Sequence, residues 1–168
     1  DVHLQEITIP GTETTNRFAF SRTDDGELLG IRSNRYHPVF NLDMELIKER
    51  ILETSGCTFK GYEEFQKGKR ILAFFQNKRT DLQIGGQDVQ DYLIIGNSHD
   101  TTSKLFVGTS NYMFRCENQF SEKIRTLEWK HDRPFDIEKI QIDEILYSYE
   151  QGRKNLYLKM EQLKEVKA

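Results

Sequence analysis

Residues 92–96 have the sequence Tyr92-Leu93-Ile94-Ile95-Gly96, which is apolar enough to form a central strand of a β-sheet. Leu105 to Cys116 is predicted to be its antiparallel neighbour across the polar connection Asn97 to Lys104. These two segments are therefore the expected centre of the sheet.

Short runs of alternating apolar and polar residues before this centre predict further antiparallel strands. Several runs lie between Gln5 and Phe40, where Asp24-Asp25-Gly26 is predicted to form a hairpin turn. A second hairpin is predicted from Cys57 to Phe65 and from Arg70 to Phe75, with its turn at Gln66-Lys67-Gly68-Lys69. The sheet is therefore expected to be mainly antiparallel.

An amphipathic helix is predicted directly after the first strands. Asn41 or Asp43 can cap its start, and Gly56 is placed to end it. Its apolar positions recur at helical spacing and are Leu46, Ile47 and Ile51, with Leu52 as a further candidate.

A long helical segment is predicted over residues 136–166, with Asp136 as its cap. Its apolar stripe consists of Ile142, Leu146, Tyr149, Leu156, Met160 and Leu163. Arg153 interrupts the stripe and Gly152 weakens the helix beside it. Two interpretations stay open, namely packing within the chain and self-association through a helical seam.

The composition favours one folded domain over residues 1–168 of the α+β class. The chain has 168 residues, of which 36% are hydrophobic, and its 11 Phe, 7 Tyr and 1 Trp can fill a core. No stretch reaches the roughly 18 apolar residues that span a bilayer. Cys57 and Cys116 lack metal-ligand spacing, so we expect buried thiols, with a disulfide as the alternative, and no metal or cofactor.

The formal net charge of −3 argues against a uniformly basic nucleic-acid binder, but residues 57–80 are locally basic. Basic side chains that follow a phosphate backbone and aromatic rings that stack on bases are what single-strand binding needs. The candidate nucleic-acid-binding residues are Lys60, Tyr62, Phe65, Lys67, Lys69, Arg70, Lys78 and Arg79. In the alternative interpretation the aromatic residues enter the core and the lysines form a solvated face.

The turn sequence Asn97-Ser98-His99-Asp100 has two interpretations as well. A histidine with an aspartate can form a general base and its orienting carboxylate. Asn, Ser and Asp also bond their own backbone and set turns, and this role is the expected one.

Two segments resemble a phage/plasmid-like protein family of unknown function. The first is Tyr36-His37-Pro38-Val39-Phe40-Asn41, which fits a Tyr-x-Pro-Val-x-Asn pattern before a helix. The second is the Asn97-Ser98-His99-Asp100 turn, followed downstream by Arg115-Cys116-Glu117-Asn118. The resemblance is strongest over residues 30–120. The family-motif residues are Tyr36, Pro38, Asn41, Asn97, Ser98, His99, Asp100, Arg115, Cys116 and Asn118.

This resemblance implies a mobile element in the cytoplasm of a bacterial host and no established reaction. The first functional hypothesis is a nonenzymatic protein that associates with single-stranded DNA or RNA. The second is a structural or protein-interaction module that self-associates through the stripe of its C-terminal helix. A metal-dependent or hydrolytic enzyme centred on His99 and Asp100 ranks third, because no complete catalytic constellation can be assembled.

Overall fold

The computed structural model describes residues 2–8, 11, 17–77, 83–84, 87–88, 90–100, 102–111, 125–131, 134, 136 and 140–165. The strands are β1 (Val2–Ile7), β2 (Arg17–Arg22), β3 (Leu28–Ser33), β4 (Cys57–Phe65), β5 (Arg70–Asn77), β6 (Gln83–Ile84), β7 (Gln87–Asp88), β8 (Tyr92–Ser98), β9 (Leu105–Ser110) and β10 (Arg125–Trp129). The helices are α1 (Asn41–Thr54) and α2 (Ile142–Glu165). The predicted α+β class is confirmed.

The main sheet has five antiparallel strands in the order β10-β9-β8-β5-β4, so the predicted central strand lies in the middle. All seven residues of β8 are buried, as expected for a continuous apolar run. Gly96 is needed at its end, because an added Cβ would lie 2.2 Å from the ring of Phe106. β8 pairs with β5 on one side and with β9 on the other.

The two faces of this sheet carry separate apolar clusters. The first cluster lies between the sheet and the helices. It consists of residues of α1 and α2 and, from the sheet, Ala73, Phe75, Leu93 and Ile95. The opposite face holds a second cluster of Leu72, Phe74, Tyr92, Ile94 and Phe106. Alternate residues of each strand therefore serve two layers of the core.

The predicted hairpin of β4 and β5 is confirmed, but β4 contains a bulge. Phe59 pairs with Phe75 whereas Gly61 pairs with Phe74, so Lys60 is an extra residue. Gly61 has a φ of 134°, which glycine adopts readily. The bulge shifts the alternation of side chains in the second half of β4.

Helix α1 packs on the sheet through the predicted Ile47 and Ile51, but Met44 joins them in place of Leu46 and Leu52. Its buried residues are Met44, Ile47 and Ile51, whereas Leu46 and Leu52 are exposed. Neither predicted cap holds the N-cap position, which belongs to Phe40. The Asp43 carboxylate instead accepts a hydrogen bond of 2.7 Å from the backbone N–H of Phe40.

Helix α2 begins at Ile142, six residues after the predicted cap Asp136. The first part of its apolar stripe packs within the chain, as one of the two interpretations has it, with Ile142 and Tyr149 in the core beside α1. Leu156 and Met160 are half-buried, and the side chain of Leu163 lies outside the described part of the chain. Self-association through this stripe stays a prediction.

Arg153, which interrupts the stripe, faces inward and anchors α2 to the sheet. Its Nε lies 3.0 Å from a carboxylate oxygen of Asp91, the residue that precedes β8. The Tyr149 hydroxyl donates to the same carboxylate. All three side chains are buried, so this is an ion pair within the core.

The three-stranded sheet β1-β2-β3 supports a third cluster of Val2, Phe20 and Leu29, against which Tyr36 and Phe40 pack. The predicted hairpin turn at Asp24-Asp25-Gly26 joins β2 and β3. None of the described helices is long and apolar enough to cross a membrane.

Candidate functional site

The two motif segments come together in the fold through polar contacts. The side-chain amide of Asn97 donates to the carbonyl of Val39 at 2.8 Å, and the Tyr36 hydroxyl donates to the carbonyl of Ser98 at 3.2 Å. His99 Nε2 lies 2.8 Å from Asn41 Oδ1. Segments that are about 60 residues apart in sequence are therefore joined here.

Other motif residues have less defined roles. Pro38 is half-buried in the link between β3 and α1. Arg115, Cys116 and Asn118 lie outside the described residues. Cys57 carries a buried thiol at the start of β4.

The loop after β8 is a turn held by its own side chains. The Ser98 hydroxyl donates to the carbonyl of Ser103 at 2.8 Å and accepts from the backbone N–H of the same residue at 2.9 Å. Asp100 Oδ1 accepts from the backbone N–H of Thr102 at 3.0 Å. The Asp100 carboxylate thus accepts hydrogen bonds within the turn, whereas the His99 ring contacts Asn41. Among the described residues, His99 and Asp100 therefore do not form a hydrogen-bonded pair.

His99 is held neutral at pH 7. Burial, reinforced by the nearby charge of His131, lowers the pKa of His99 to about 4. A neutral imidazole carries one N–H, and His99 Nδ1 has no hydrogen-bond partner in the described structure. We therefore assign the proton to Nε2, which donates to Asn41 Oδ1. The amide nitrogen of Asn41 keeps its donors for other partners.

Asn41 also lines a cleft of about 410 Å³ between the start of α1 and the sheet. The lining residues in the described part of the chain come from α1, β4 and β5 and are Asn41, Leu42, Met44, Glu45, Tyr62, Glu64 and Ile71. Apolar walls with a few converging polar groups are typical of binding sites. The motif contact between His99 and Asn41 thus supports one wall of this cleft.

The polar groups of the cleft are mainly acidic. The Tyr62 hydroxyl donates a hydrogen bond to the Glu45 carboxylate. Burial, and next the Glu45 carboxylate, raise the pKa of Tyr62. Lys48 pairs with Glu45 from the same helix. Glu64 lies 3.6 Å from Arg22 Nη1, but the Arg22 guanidinium makes two shorter bonds of 3.0 Å and 2.7 Å to Asp24.

Two exposed apolar side chains near the start of α1, Leu42 and Leu46, were not predicted as part of a site, whereas Tyr62 was a candidate for base stacking. Leu42 is 64% exposed, and Leu46 and Tyr62 are also exposed. Leu42 and Leu46 are four residues apart, so they lie on the same face of α1. This spacing could have indicated an exposed apolar surface on α1. It was missed because Leu46 was assigned to the buried face of the helix.

The candidate aromatic residues of the basic hairpin do not form one stacking platform. Tyr62 pairs with Ala73 on the helix side of the sheet, where it packs 5.0 Å from Phe59. Phe65 packs on the other side against the Leu72 and Phe74 cluster. Tyr62 and Phe65 are three residues apart in the regular part of β4, so the alternation of side chains places them on opposite faces of the sheet.

The candidate cations of the hairpin differ in their surroundings. Lys60 is exposed in the bulge, and the Lys67 side chain is 73% exposed with Glu27 at 3.4 Å. Arg70 Nε donates to Thr102 at 3.0 Å, and the backbone carbonyl of Lys69 accepts from His99 N at 2.7 Å. Lys78 and Arg79 lie outside the described residues.

A family model described as "Domain of unknown function (DUF932)" matches residues 28–168. The matched range starts with β3 and contains both motif segments and the cleft. No curated protein and no solved structure matches the chain.

Proposed function

Since this chain belongs to the DUF932 family, a family of unknown function, we propose from the geometry that it is a protein-interaction module that binds a partner segment in the α1–β4 cleft. The observation that carries this proposal is the position of the cleft. It opens beside exposed Leu42, and its wall includes Asn41, the residue that the buried His99 orients.

The chemistry of the cleft favours binding over catalysis. The described lining residues offer apolar surface from Leu42, Met44 and Ile71, a carboxamide and two carboxylates. A catalytic acid or base needs a pKa matched to its task and a partner that orients it. Among the described residues, no group of three or more His, Cys, Asp and Glu could hold a metal ion.

Partner selection tests this proposal. Peptides selected from a random display library against the wild-type protein are expected to lose at least about tenfold in affinity for Leu42→Asp, because a charge replaces exposed apolar surface at the cleft. Leu158→Asp is the matched control, since Leu158 is similarly exposed but lies on α2. Selected peptides that bind the wild-type protein, Leu42→Asp and Leu158→Asp equally well would contradict the proposal.

Nucleic-acid association by the basic hairpin is the second candidate. It is supported by the exposure of Lys60 and Lys67, because a surface ion pair such as Lys67–Glu27 contributes little and can be exchanged for a phosphate contact. Lys69 and Arg70 lie at the same end of the hairpin. The resemblance of the motif segments to phage and plasmid proteins supports a mobile-element setting in bacterial cytoplasm.

Replacement of Lys67, Lys69 and Arg70 by glutamine tests this second function. We expect weaker binding of a labelled single-stranded oligonucleotide, and a log–log salt slope that falls by about 0.7 for each lost phosphate contact. Fluorescence anisotropy at two salt concentrations measures both quantities. The control replaces the exposed Lys154 and Lys159 of α2. Unchanged affinity and slope in the hairpin variant would exclude this surface.

A further inference from the structure

Resting on the proposed function, we propose that the partner segment is basic, with a lysine or arginine side chain held by Glu64 and Glu45 and a main-chain carbonyl held by Asn41. The occupant is thus an extended peptide segment of another protein that combines a cation with apolar neighbours. The cleft is lined by two chemically different kinds of polar group, a carboxamide and carboxylates, and each suits one part of such a segment.

Glu64 supplies a carboxylate that has no short ionic contact among the described residues. Its nearest cation is Arg22 Nη1 at 3.6 Å, which exceeds hydrogen-bond distance. Arg22 already donates twice to Asp24 and once to the carbonyl of Lys67 at 3.1 Å. The Glu64 side chain is 52% exposed, so an incoming cation can reach it.

The remaining charges near the cleft are negative on balance. Glu45 and Glu49 both raise the pKa of the Tyr62 hydroxyl, which places their charges close to that side chain. Lys48 compensates Glu45 and also lies 5.3 Å from the centre of the Phe59 ring. Glu45, Glu49 and Glu64 therefore outnumber Lys48 in this region, because the nearby Arg22 guanidinium is already paired with Asp24. A phosphate would be repelled from such a surface.

Asn41 provides the carboxamide of the cleft. His99 occupies its Oδ1, so its Nδ2 hydrogens are the groups that can meet a ligand. Asn41 is also the first residue of α1, where the helix dipole favours an acceptor over a cation. A peptide carbonyl suits the Asn41 amide, whereas the basic side chain suits Glu64.

The apolar lining supplies the contact area that a lone ion pair lacks. Leu42, Met44 and Ile71 form this part of the cleft. Exposed ion pairs contribute little in isolation, so a free amine is expected to bind weakly. A segment that buries apolar side chains beside the cation gains from both contributions.

Fluorescence anisotropy with three labelled peptides tests the inference. The probes alternate leucine with lysine, with glutamine or with glutamate, and are otherwise identical. The lysine peptide is expected to bind the wild-type protein at least about tenfold more tightly than the glutamine peptide, and the glutamate peptide more weakly still. Glu64→Gln is expected to weaken lysine-peptide binding about fivefold to tenfold and to leave glutamine-peptide binding unchanged.

Glu63→Gln is the matched control for this experiment. Glu63 pairs with Leu72, so it lies on the opposite face of β4 from Tyr62 and the cleft. The Glu63→Gln variant removes the same charge one position away, and its affinity for the lysine peptide should stay within about twofold of the wild-type value. An equal loss in both variants would mean that overall charge, not the cleft, attracts the peptide, and would overturn the inference.

The remaining outcomes separate this inference from the proposed function. If the lysine and glutamine peptides bind equally and Leu42→Asp weakens both, the cleft binds peptides without a preference for cations. The proposed function then stands and the inference fails. If none of the three peptides binds at about 1 mM, which corresponds to about −4 kcal/mol, both proposals fail.

Discussion

Replacing Arg153 with methionine is expected to lower the free energy of unfolding by about 3–5 kcal/mol at pH 7. The variant keeps an apolar chain of similar length but leaves the buried carboxylate of Asp91 without its cation. The Tyr149 hydroxyl remains as a donor, but it cannot neutralise the charge. Urea unfolding of the two proteins, followed by the fluorescence of Trp129, measures the difference.

The companion variant Asp91→Asn/Arg153→Met separates charge from packing. Since the amide is uncharged and can still accept from Tyr149, the double variant is expected to recover most of the lost stability. The loss of unfolding free energy in Arg153→Met should also become smaller at acidic pH. Burial already raises the pKa of Asp91, and protonation removes the unpaired negative charge. A single variant within about 1 kcal/mol of wild type would show that the ion pair does not anchor α2.

Acidification from pH 7 to pH 4 is expected to remove about 3 kcal/mol of stability through His99 alone. The folded pKa is about 4, below the value of about 6.5 for an unfolded histidine. Between these values the unfolded chain binds a proton that the folded chain does not. The stability that depends on neutral His99 is therefore fully present above about pH 6.5 and is lost as the pH falls toward 4. Burial lowers the pKa of His131 too, so its effect has the same sign.

His99→Gln isolates this contribution. Glutamine can still donate to Asn41 but does not titrate, so the gap in unfolding free energy between wild type and variant should narrow by about 3 kcal/mol from pH 7 to pH 4. Carboxylates that titrate in the same range affect both proteins and cancel in the comparison. Parallel stability curves for the two proteins would refute the assignment of a neutral, buried imidazole.

The sequence predicted the sheet better than the helix faces, for a physical reason. A continuous apolar run such as residues 92–96 has one stable place, which is a strand buried on both sides. In α1 the apolar residues cover more than one stripe, so periodicity alone found Ile47 and Ile51 but could not decide whether Met44 or Leu46 with Leu52 completes the buried face. The sheet that α1 covers makes that choice through tertiary packing.

The candidate site was less predictable, because it depends on a local irregularity and on long-range contacts. Strict alternation would place Phe59 and Phe65 on one face, but the extra residue Lys60 moves Phe59 and Tyr62 together. Gly61 was the available signal for this bulge. The contact between Asn41 and His99 spans 58 residues, and no local pattern could reveal it.

The bulge in β4 also protects the outer edge of the five-stranded sheet. β4 is the last strand on its side in the part of the chain that is described, so its outward backbone groups could recruit a strand from another molecule. Lys60 interrupts the regular spacing of those groups and brings a charge to the edge, as edge strands that resist aggregation commonly do. Growth of an amyloid-like ladder from this edge is therefore disfavoured, and a partner must engage side chains instead of extending the sheet.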